Sequence, residues 1–234
     1  MTPEAPRALL FDLDGTLIDS APDLAGAAND LRRRRGLDPC PYEALRPMVG
    51  SGARGMVGAA FGVAPGDERF EELREEFLAI YAERLLQLTR VFESMQPVLD
   101  AIEARGRRWG IVTNKAERYT HPVARGLGLD RRASVIVAGD TTPHSKPHPG
   151  PLLEAARRLA LEPAQCVYIG DDRRDVMAGR AAGMRTVVAA WGYLGPGEPV
   201  ADWGADFVVE GGVGAAEEET AESVGEAAHI IAPG

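Results

Sequence analysis

Residues 8–17 of the chain read ALLFDLDGTL, an apolar run of four residues followed by two aspartates, Asp12 and Asp14, and a glycine. A short unbroken apolar run is typical of a strand covered on both faces, as in a parallel sheet. Gly15 allows the chain to turn directly after such a strand. Two carboxylates at the end of a buried strand are costly unless they are paired or bind a cation. The stretch therefore predicts both a sheet and a functional site.

Apolar runs of the same kind recur further along the chain, over residues 109–112, 135–138, 167–170 and 186–190. Helix-like stretches punctuated by proline or glycine lie between them, over residues 97–105, 151–161 and 175–182. This alternation predicts an α/β fold with a parallel sheet. In such sheets the ligand crevice lies outside the carboxyl ends of the strands. Because polar residues follow most of these runs, we expect distant segments to meet in one site.

The segment from residue 18 to residue 86 interrupts the alternation because it lacks apolar strand runs. It is predicted as helices over residues 22–35, from residue 42 and over residues 70–88, with Ser20 in position to cap the first of them. The last twenty residues carry five glutamates and no lysine or arginine. The predicted organisation is an α/β core of residues 1–17 and 87–213, an inserted helical cap of residues 18–86, and an acidic tail of residues 214–234.

The composition excludes several classes of protein. The 234 residues include 26 basic and 35 acidic side chains, a formal charge of −9, which argues against binding to nucleic acid or to an anionic membrane. Cys40 and Cys166 lie far apart without the spacing of metal ligands, which is typical of a reduced cytoplasmic protein. No stretch approaches the roughly 20 apolar residues of a membrane span, and the N-terminus lacks a signal-peptide pattern. We expect a soluble, cytoplasmic protein that acts on a small molecule; its oligomeric state stays open.

Four short motifs are the most specific signals, and in chain order they are Asp12-Leu13-Asp14-Gly15-Thr16, Thr113-Asn114, Lys146-Pro147 and Gly170-Asp171-Asp172-Arg173-Arg174-Asp175. With these motifs the chain resembles the haloacid dehalogenase-like hydrolases, in their phosphatase branch, over nearly its whole length. The resemblance implies a Rossmann-like parallel-sheet core with a small inserted helical cap. It also implies hydrolysis of a phosphate monoester, since the second aspartate of the first motif marks phosphoryl transfer in this superfamily.

The resemblance assigns a role to each motif, and each role has a chemical reason. Asp12 is expected to be the nucleophile, forming an aspartyl-phosphate that divides one difficult displacement into two easier ones. Asp14 is expected to protonate the leaving alkoxide and later to accept a proton from the attacking water. Thr113 and Asn114 are expected to donate hydrogen bonds to the phosphate oxygens, and Lys146 to neutralise charge on Asp12 and the transferring group.

A dianionic phosphate repels an ionised Asp12, so a cation has to lie between them. Carboxylates and waters in octahedral geometry suit Mg²⁺. By resemblance, its ligands are the side chains of Asp12 and Asp171 and the backbone carbonyl of Asp14. Asp175 is expected to act through water or beside a ligand. The role of Asp172 stays open, because the family often has serine at that position.

Residues 50–55, Gly-Ser-Gly-Ala-Arg-Gly, match the glycine pattern of dinucleotide-binding proteins. That pattern should follow a buried strand, but the preceding apolar stretch is short and is broken by Pro47. We interpret the residues instead as a flexible cap loop that faces the active site. Arg54 then either binds the leaving group of the substrate or is solvated at a helix end.

A helical insert between the first and second motifs is the cap position of phosphoglycolate phosphatase-like members of the family. The resemblance therefore implies 2-phosphoglycolate as the first candidate substrate, with N-acetylmuramic acid 6-phosphate as the alternative. A phosphomutase, which shields the aspartyl-phosphate from water, is a further alternative within the same chemistry. A binding module on a disabled fold is the alternative from another class, and the intact aspartates and lysine of the four motifs argue against it.

Overall fold

The computed structural model describes residues 5–210 of the chain, so the predicted acidic tail, residues 214–234, lies outside the described residues. In chain order the strands are β1 (Ala8–Phe11), β2 (Ile18–Asp19), β3 (Arg90–Val91), β4 (Arg108–Val112), β5 (Val135–Val137), β6 (Cys166–Gly170), β7 (Arg185–Ala189) and β8 (Phe207–Val209). Six of them form a parallel sheet in the spatial order β5-β4-β1-β6-β7-β8, while β2 and β3 pair antiparallel outside it. The predicted fold class is confirmed.

The helices of the described residues are α1 (Ala21–Arg34), α2 (Tyr42–Leu45), α3 (Gly52–Phe61), α4 (Phe70–Arg84), α5 (Met95–Ala104), α6 (Glu117–Gly126), α7 (Gly150–Arg158) and α8 (Arg173–Ala181). Helices α1 to α4 lie between β2 and β3, and we call residues 21–84 the helical insert. The three predicted core helices correspond to α5, α7 and α8. The proline–glycine pattern does not predict α6, because Pro122 lies inside it. None of these helices is long and apolar enough to cross a membrane.

The side chains of β1 divide the core of the sheet into two layers. Leu9 and Phe11 pack with side chains of α5 and α6 on one face. Ala8 and Leu10 pack with side chains of α7 and α8 on the other face. Because successive side chains of a strand point to opposite faces, a strand that is covered on both sides needs an unbroken apolar run. This explains the composition of residues 8–11.

The parallel register brings the carboxyl ends of three central strands to one level. Phe11, the last residue of β1, pairs with Ile111 of β4 and with Ile169 of β6. Asp12 follows β1 directly, and Thr113 and Asp171 come two residues after those partners. Open α/β sheets bind ligands at the carboxyl ends of their strands, where the strand order reverses. The fold therefore gathers three of the four sequence motifs at one edge.

The helical insert contains a hydrophobic cluster of its own, which includes Leu31, Met56, Leu73 and Phe77. The expectation of a flexible loop at residues 50–55 is wrong, because residues 46–51 form a 3₁₀ helix and α3 begins at Gly52. Burial of Met56 and Val57 against the neighbouring helices accounts for a helix despite its glycines.

The prediction that Ser20 is the N-cap residue of α1 is confirmed for its position but not for its side chain. Ser20 stands at the N-terminus of that helix, but its side chain makes no capping hydrogen bond. Its hydroxyl donates instead to Asp14 Oδ1 at 2.5 Å. The Ser20 hydroxyl therefore binds Asp14, at the edge of the sheet, rather than the N-terminus of α1.

The two chain crossings between the sheet and the helical insert are held together by Asp23 of α1, which is fully buried. One of its carboxylate oxygens accepts hydrogen bonds from the backbone N–H groups of Leu88 and Thr89, at 2.9 and 2.8 Å, and from the Thr89 hydroxyl at 2.8 Å. Because a buried N–H without a partner is costly, this carboxylate fixes the returning chain against α1. The predicted boundaries of the cap, residues 18 and 86, fall beside these crossings.

Candidate active site

Three carboxylates meet at the carboxyl edge of the sheet. Asp12, Asp171 and Asp175 each place an oxygen within 4.8 Å of the other two. Burial, and then the charges of Asp12 and Asp175, raise the pKa of Asp171 well above its usual range. Asp12 Oδ1 is buried, and the Lys146 ammonium lies 2.9 Å from it. Carboxylate oxygens crowded together at a largely buried site fit a hard divalent cation such as Mg²⁺.

The surroundings of Asp171 hold its carboxylate in one orientation. Oδ1 accepts a hydrogen bond from the Thr16 hydroxyl at 2.9 Å, and Oδ2 accepts one from the backbone N–H of Tyr193 at 2.8 Å. Gly15 and Gly192 approach so closely that a Cβ at either position would collide with the Asp171 side chain. Since Gly15 also has a φ of +86°, the turn after β1 requires glycine for its conformation as well as for its packing.

Lys146 supplies positive charge to the three-carboxylate cluster. Its Nζ atom lies 2.9 Å from Asp12 Oδ1 and 2.7 Å from Asp175 Oδ1, and its side chain is 2% exposed. It also donates to the Tyr168 hydroxyl at 2.7 Å and to the backbone carbonyl of Val112 at 3.2 Å. Burial lowers the pKa of Lys146, but the two carboxylates raise it overall, so the ammonium form is stable. A fixed positive charge therefore lies beside Asp12.

Thr113 and Asn114 line the same cavity as the cluster, and their side chains have different hydrogen-bond partners. Thr113 Oγ1 accepts a hydrogen bond from the backbone N–H of Lys115 at 3.1 Å, so its hydroxyl proton can be donated to a ligand. The Asn114 side chain exchanges two hydrogen bonds with the backbone of Lys146, at 2.9 and 3.0 Å. The Asn114 side chain therefore holds the loop that carries Lys146, and its hydrogen bond to the phosphate stays a prediction.

Asp14 has partners of its own, outside the three-carboxylate cluster. Lys115 Nζ lies 3.0 and 3.2 Å from the two carboxylate oxygens of Asp14. The same ammonium donates to the hydroxyl of Tyr81, on α4, at 2.6 Å. Burial lowers the pKa of Lys115, but Asp14 and Tyr81 raise it overall. Neither Lys115 nor Tyr81 is among the residues that the sequence predicts for the site, although Lys115 directly follows the second motif.

A cavity of about 340 Å³ lies between this edge of the sheet and the helical insert. Its walls bring together every residue that the sequence predicts for the site, namely Asp12, Asp14, Arg54, Thr113, Asn114, Lys146 and Asp171. Phe77, Leu78 and Tyr81 give the insert side an apolar wall, and Arg74 and Arg118 add two further guanidinium groups. The cavity thus combines carboxylates and ammonium groups at the edge of the sheet with an apolar wall on the insert and several arginines.

The comparisons with known proteins identify the family. A family model described as haloacid dehalogenase-like hydrolase matches residues 9–189. The chain belongs to the haloacid dehalogenase-like hydrolases. It is 46% identical over 206 residues to a phosphoglycolate phosphatase of Xanthomonas campestris pv. campestris, covering 88% of this chain and 92% of that protein. It is 42% identical over 204 residues to an N-acetylmuramic acid 6-phosphate phosphatase of Pseudomonas aeruginosa, covering 87% of this chain and 90% of that protein.

A solved structure supports the same assignment. The crystal structure of a predicted phosphoglycolate phosphatase from Haemophilus somnus has a TM-score of 0.76 at 28% identity, covering 86% of this chain and 92% of that one. The family resemblance carried by the four motifs is therefore confirmed, and so is the hydrolase class.

In this haloacid dehalogenase-like hydrolase, the contacts of Asp172 bear on the role that the sequence left open. Asp172 caps α8, because its side chain accepts a hydrogen bond from the backbone N–H of Arg174 at 2.8 Å. It also pairs with the Arg174 guanidinium at 2.7 Å, and that guanidinium donates to the backbone carbonyl of Gly50 in the helical insert. Burial raises the pKa of Asp172, but the contacts with Arg174 lower it overall. Asp172 therefore links the sheet to the insert.

Proposed function

We propose that the chain is a Mg²⁺-dependent phosphatase that hydrolyses a small phosphate monoester through an aspartyl-phosphate on Asp12. One observation carries the proposal: two aspartates leave β1 into the same cavity and have different partners there. Asp12 lies beside Lys146 and the other carboxylates of the cluster, whereas Asp14 contacts Lys115. Two carboxylates in different environments can divide the roles of nucleophile and acid/base between them.

Asp12 is assigned to attack at phosphorus. In the first step its carboxylate oxygen forms a bond to phosphorus while the bond between phosphorus and the leaving-group oxygen breaks. Lys146, 2.9 Å from Asp12, offsets the negative charge that approaches the nucleophile. The Thr113 hydroxyl donates a hydrogen bond to an oxygen of the transferring group.

Asp14 is assigned to proton transfer in both steps. It first gives its proton to the leaving-group oxygen and becomes a carboxylate. It then accepts a proton from water, whose oxygen bonds to phosphorus while the bond from Asp12 to phosphorus breaks. The products are the alcohol and inorganic phosphate, and both aspartates return to their starting states. A positioned acid/base group of this kind contributes about 10²–10⁴-fold to the rate.

The three-carboxylate cluster fits Mg²⁺, with Asp12 and Asp171 as side-chain ligands and the backbone carbonyl of Asp14 as the further ligand that the family implies. Asp175 is placed to orient these ligands or to join them, since it belongs to the same cluster. When bound, Mg²⁺ supplies the positive charge that lets an anionic carboxylate approach a dianionic phosphate.

Removal of the cation is expected to abolish phosphate release, and addition of Mg²⁺ is expected to restore it. Ca²⁺ should restore it poorly, because it is larger and does not enforce octahedral geometry. The measurement is phosphate release after dialysis against a chelator, before and after each ion is added. Activity that survives chelation contradicts the metal assignment.

The names of the relatives supply two candidate substrates. The first is 2-phosphoglycolate, and the second is N-acetylmuramic acid 6-phosphate. Both are phosphate esters whose leaving group also carries a carboxylate. Arg54, Arg74 and Arg118 line the cavity and offer that carboxylate a positively charged partner.

The size and lining of the cavity favour the second candidate. A volume of about 340 Å³ falls in the range of roughly 300–1,000 Å³ that accommodates drug-sized ligands. 2-Phosphoglycolate is far smaller than such a ligand and leaves the apolar wall of Phe77, Leu78 and Tyr81 without a partner. The ring and acetamido group of the amino sugar can pack against that wall.

The test is to measure kcat/KM for both esters on one preparation in Mg²⁺, with Asp12→Asn purified in parallel to detect contaminating phosphatases. We expect a preference of at least about tenfold for the amino-sugar phosphate, which corresponds to about 1.4 kcal/mol. A preference for 2-phosphoglycolate contradicts the argument from cavity size, but it does not contradict the proposed phosphatase mechanism. Substrate turnover without phosphate release would instead indicate a phosphomutase.

A further inference from the structure

Lys115 is a buried charged residue to which the mechanism above gives no role. Its side chain is 8% exposed. Its backbone carbonyl accepts hydrogen bonds from the Thr120 hydroxyl and from the backbone N–H of Gly139, both at 2.8 Å. Its own N–H donates to Thr113 Oγ1. The lysine therefore extends from a loop that is fixed to the carboxyl end of β4.

The Lys115 ammonium joins the sheet to the helical insert. On the sheet side it contacts both carboxylate oxygens of Asp14, at 3.0 and 3.2 Å, and on the insert side it contacts the Tyr81 hydroxyl, at 2.6 Å. An ammonium has three N–H donors, so these three acceptors match its capacity. In this arrangement Lys115 has no donor left for a phosphate.

The position of Tyr81 depends on the helical insert. Its ring is 2% exposed and lies parallel to Phe77 of the same helix, with 6.3 Å between ring centroids. It also meets Tyr119 of α6, at 5.6 Å between centroids. Packing therefore fixes the Tyr81 ring, and its hydroxyl reaches Lys115 only while α4 lies against this edge of the sheet.

We propose that Lys115 is a positioning residue that orients Asp14 towards the leaving-group oxygen while Tyr81 of the helical insert completes its hydrogen bonds. The inference rests on the proposed function, because it concerns the proton transfer assigned to Asp14. With the insert against the sheet, the Lys115 ammonium is held between the Tyr81 hydroxyl and the two carboxylate oxygens of Asp14. If α4 moves away, Lys115 loses Tyr81, and Asp14 keeps the Ser20 hydroxyl but loses the fixed ammonium beside its two oxygens. Proton transfer by Asp14 then depends on the contact between Lys115 and Tyr81.

Control of proton transfer has a signature that a merely structural role lacks. An alkoxide is a strong base and needs a proton to leave, whereas 4-nitrophenolate is a weak base and leaves without one. The value of kcat/KM reports the reaction up to the departure of the leaving group. A poorly oriented Asp14 should therefore lower kcat/KM for an alkyl ester far more than for a nitrophenyl ester.

The experiment compares benzyl phosphate with 4-nitrophenyl phosphate, two esters of similar size, on wild type, Tyr81→Phe and Lys115→Met. Tyr81→Phe keeps the packed ring and removes only the hydroxyl. Tyr42→Phe, which alters an exposed tyrosine of α2 in the same insert, is the matched control. We expect kcat/KM for benzyl phosphate to fall about tenfold in Tyr81→Phe and about a hundredfold in Lys115→Met, with changes below about threefold for the nitrophenyl ester. The control should match wild type on both esters.

Three results would overturn the inference. Equal losses on both esters in Tyr81→Phe mean that the hydroxyl only stabilises the insert, and the phosphatase assignment then stands. A raised KM for both esters with unchanged kcat in Lys115→Met places the lysine on the phosphate instead. A wild-type protein that hydrolyses neither ester in Mg²⁺ overturns the proposed function together with this inference.

Discussion

Asp12→Asn is expected to lower the rate of phosphate release by at least about ten-thousandfold, because an amide cannot form the aspartyl-phosphate. The neighbouring carboxylates are not placed to replace it. Asp171 accepts hydrogen bonds from Thr16 and Tyr193, and Asp175 pairs with Lys146. Asparagine has the shape of aspartate, so the packing at the end of β1 should be retained. Steady-state phosphate release at saturating ester measures the effect, and thermal unfolding verifies the fold.

The control for this substitution is Asp38→Asn, which makes the same chemical change at an exposed position of the helical insert. It should keep the wild-type rate on either candidate substrate. An Asp12→Asn protein that retains more than about one hundredth of the wild-type kcat contradicts the assignment of the nucleophile.

Asp14→Asn is expected to lower kcat about a thousandfold on benzyl phosphate, because the acid of the first step and the base of the second are both lost. On 4-nitrophenyl phosphate the first step should slow by no more than about tenfold, since nitrophenolate leaves without a proton. The second step still lacks its base, so the phosphorylated enzyme should accumulate. Rapid mixing should show this as a burst of 4-nitrophenolate followed by slow turnover.

Two outcomes contradict the acid/base role of Asp14. One is turnover at the wild-type rate, and the other is an equal loss on both esters without a burst. The Asp38→Asn control applies here as well. Comparison with Lys115→Met, on the same two esters, separates loss of the carboxylate from loss of its orientation.

The sheet and the place of the motifs could be predicted because their signals are local. The apolar run before Asp12 needs cover on both faces, and a parallel sheet between helices provides it. Once that sheet is assumed, Thr113 and Asp171 must lie near Asp12, because each follows a strand that ends at the same edge. The carboxylate cluster thus follows from strand positions and residue types alone.

The conformation of the helical insert was harder to predict from local signals. Glycines at positions 52, 55 and 58 lower the helix propensity of α3. What stabilises that helix is burial of Met56 and Val57 among the other helices of the insert, which is a tertiary effect. Ser20 shows the same limit, since its place before α1 suggests a side-chain cap, whereas its hydroxyl donates to Asp14.

The contact between Lys115 and Tyr81 could not be predicted from the sequence. The two residues are 34 positions apart and belong to different layers of the molecule. Tyr81 has the spacing of an ordinary core position, four residues after Phe77 on α4. Its hydroxyl acquires a partner only through the position of the insert on the sheet, which no local pattern encodes.

The most direct test of the mechanism is peptide mass spectrometry of the Asp14→Asn protein, quenched in acid after mixing with 4-nitrophenyl phosphate and Mg²⁺. The mechanism predicts one phosphoryl group on the peptide of residues 8–17, located on Asp12, and none when Asp12→Asn is added. A phosphoryl group on any other residue, or a burst of nitrophenolate with no phosphorylated peptide, contradicts it.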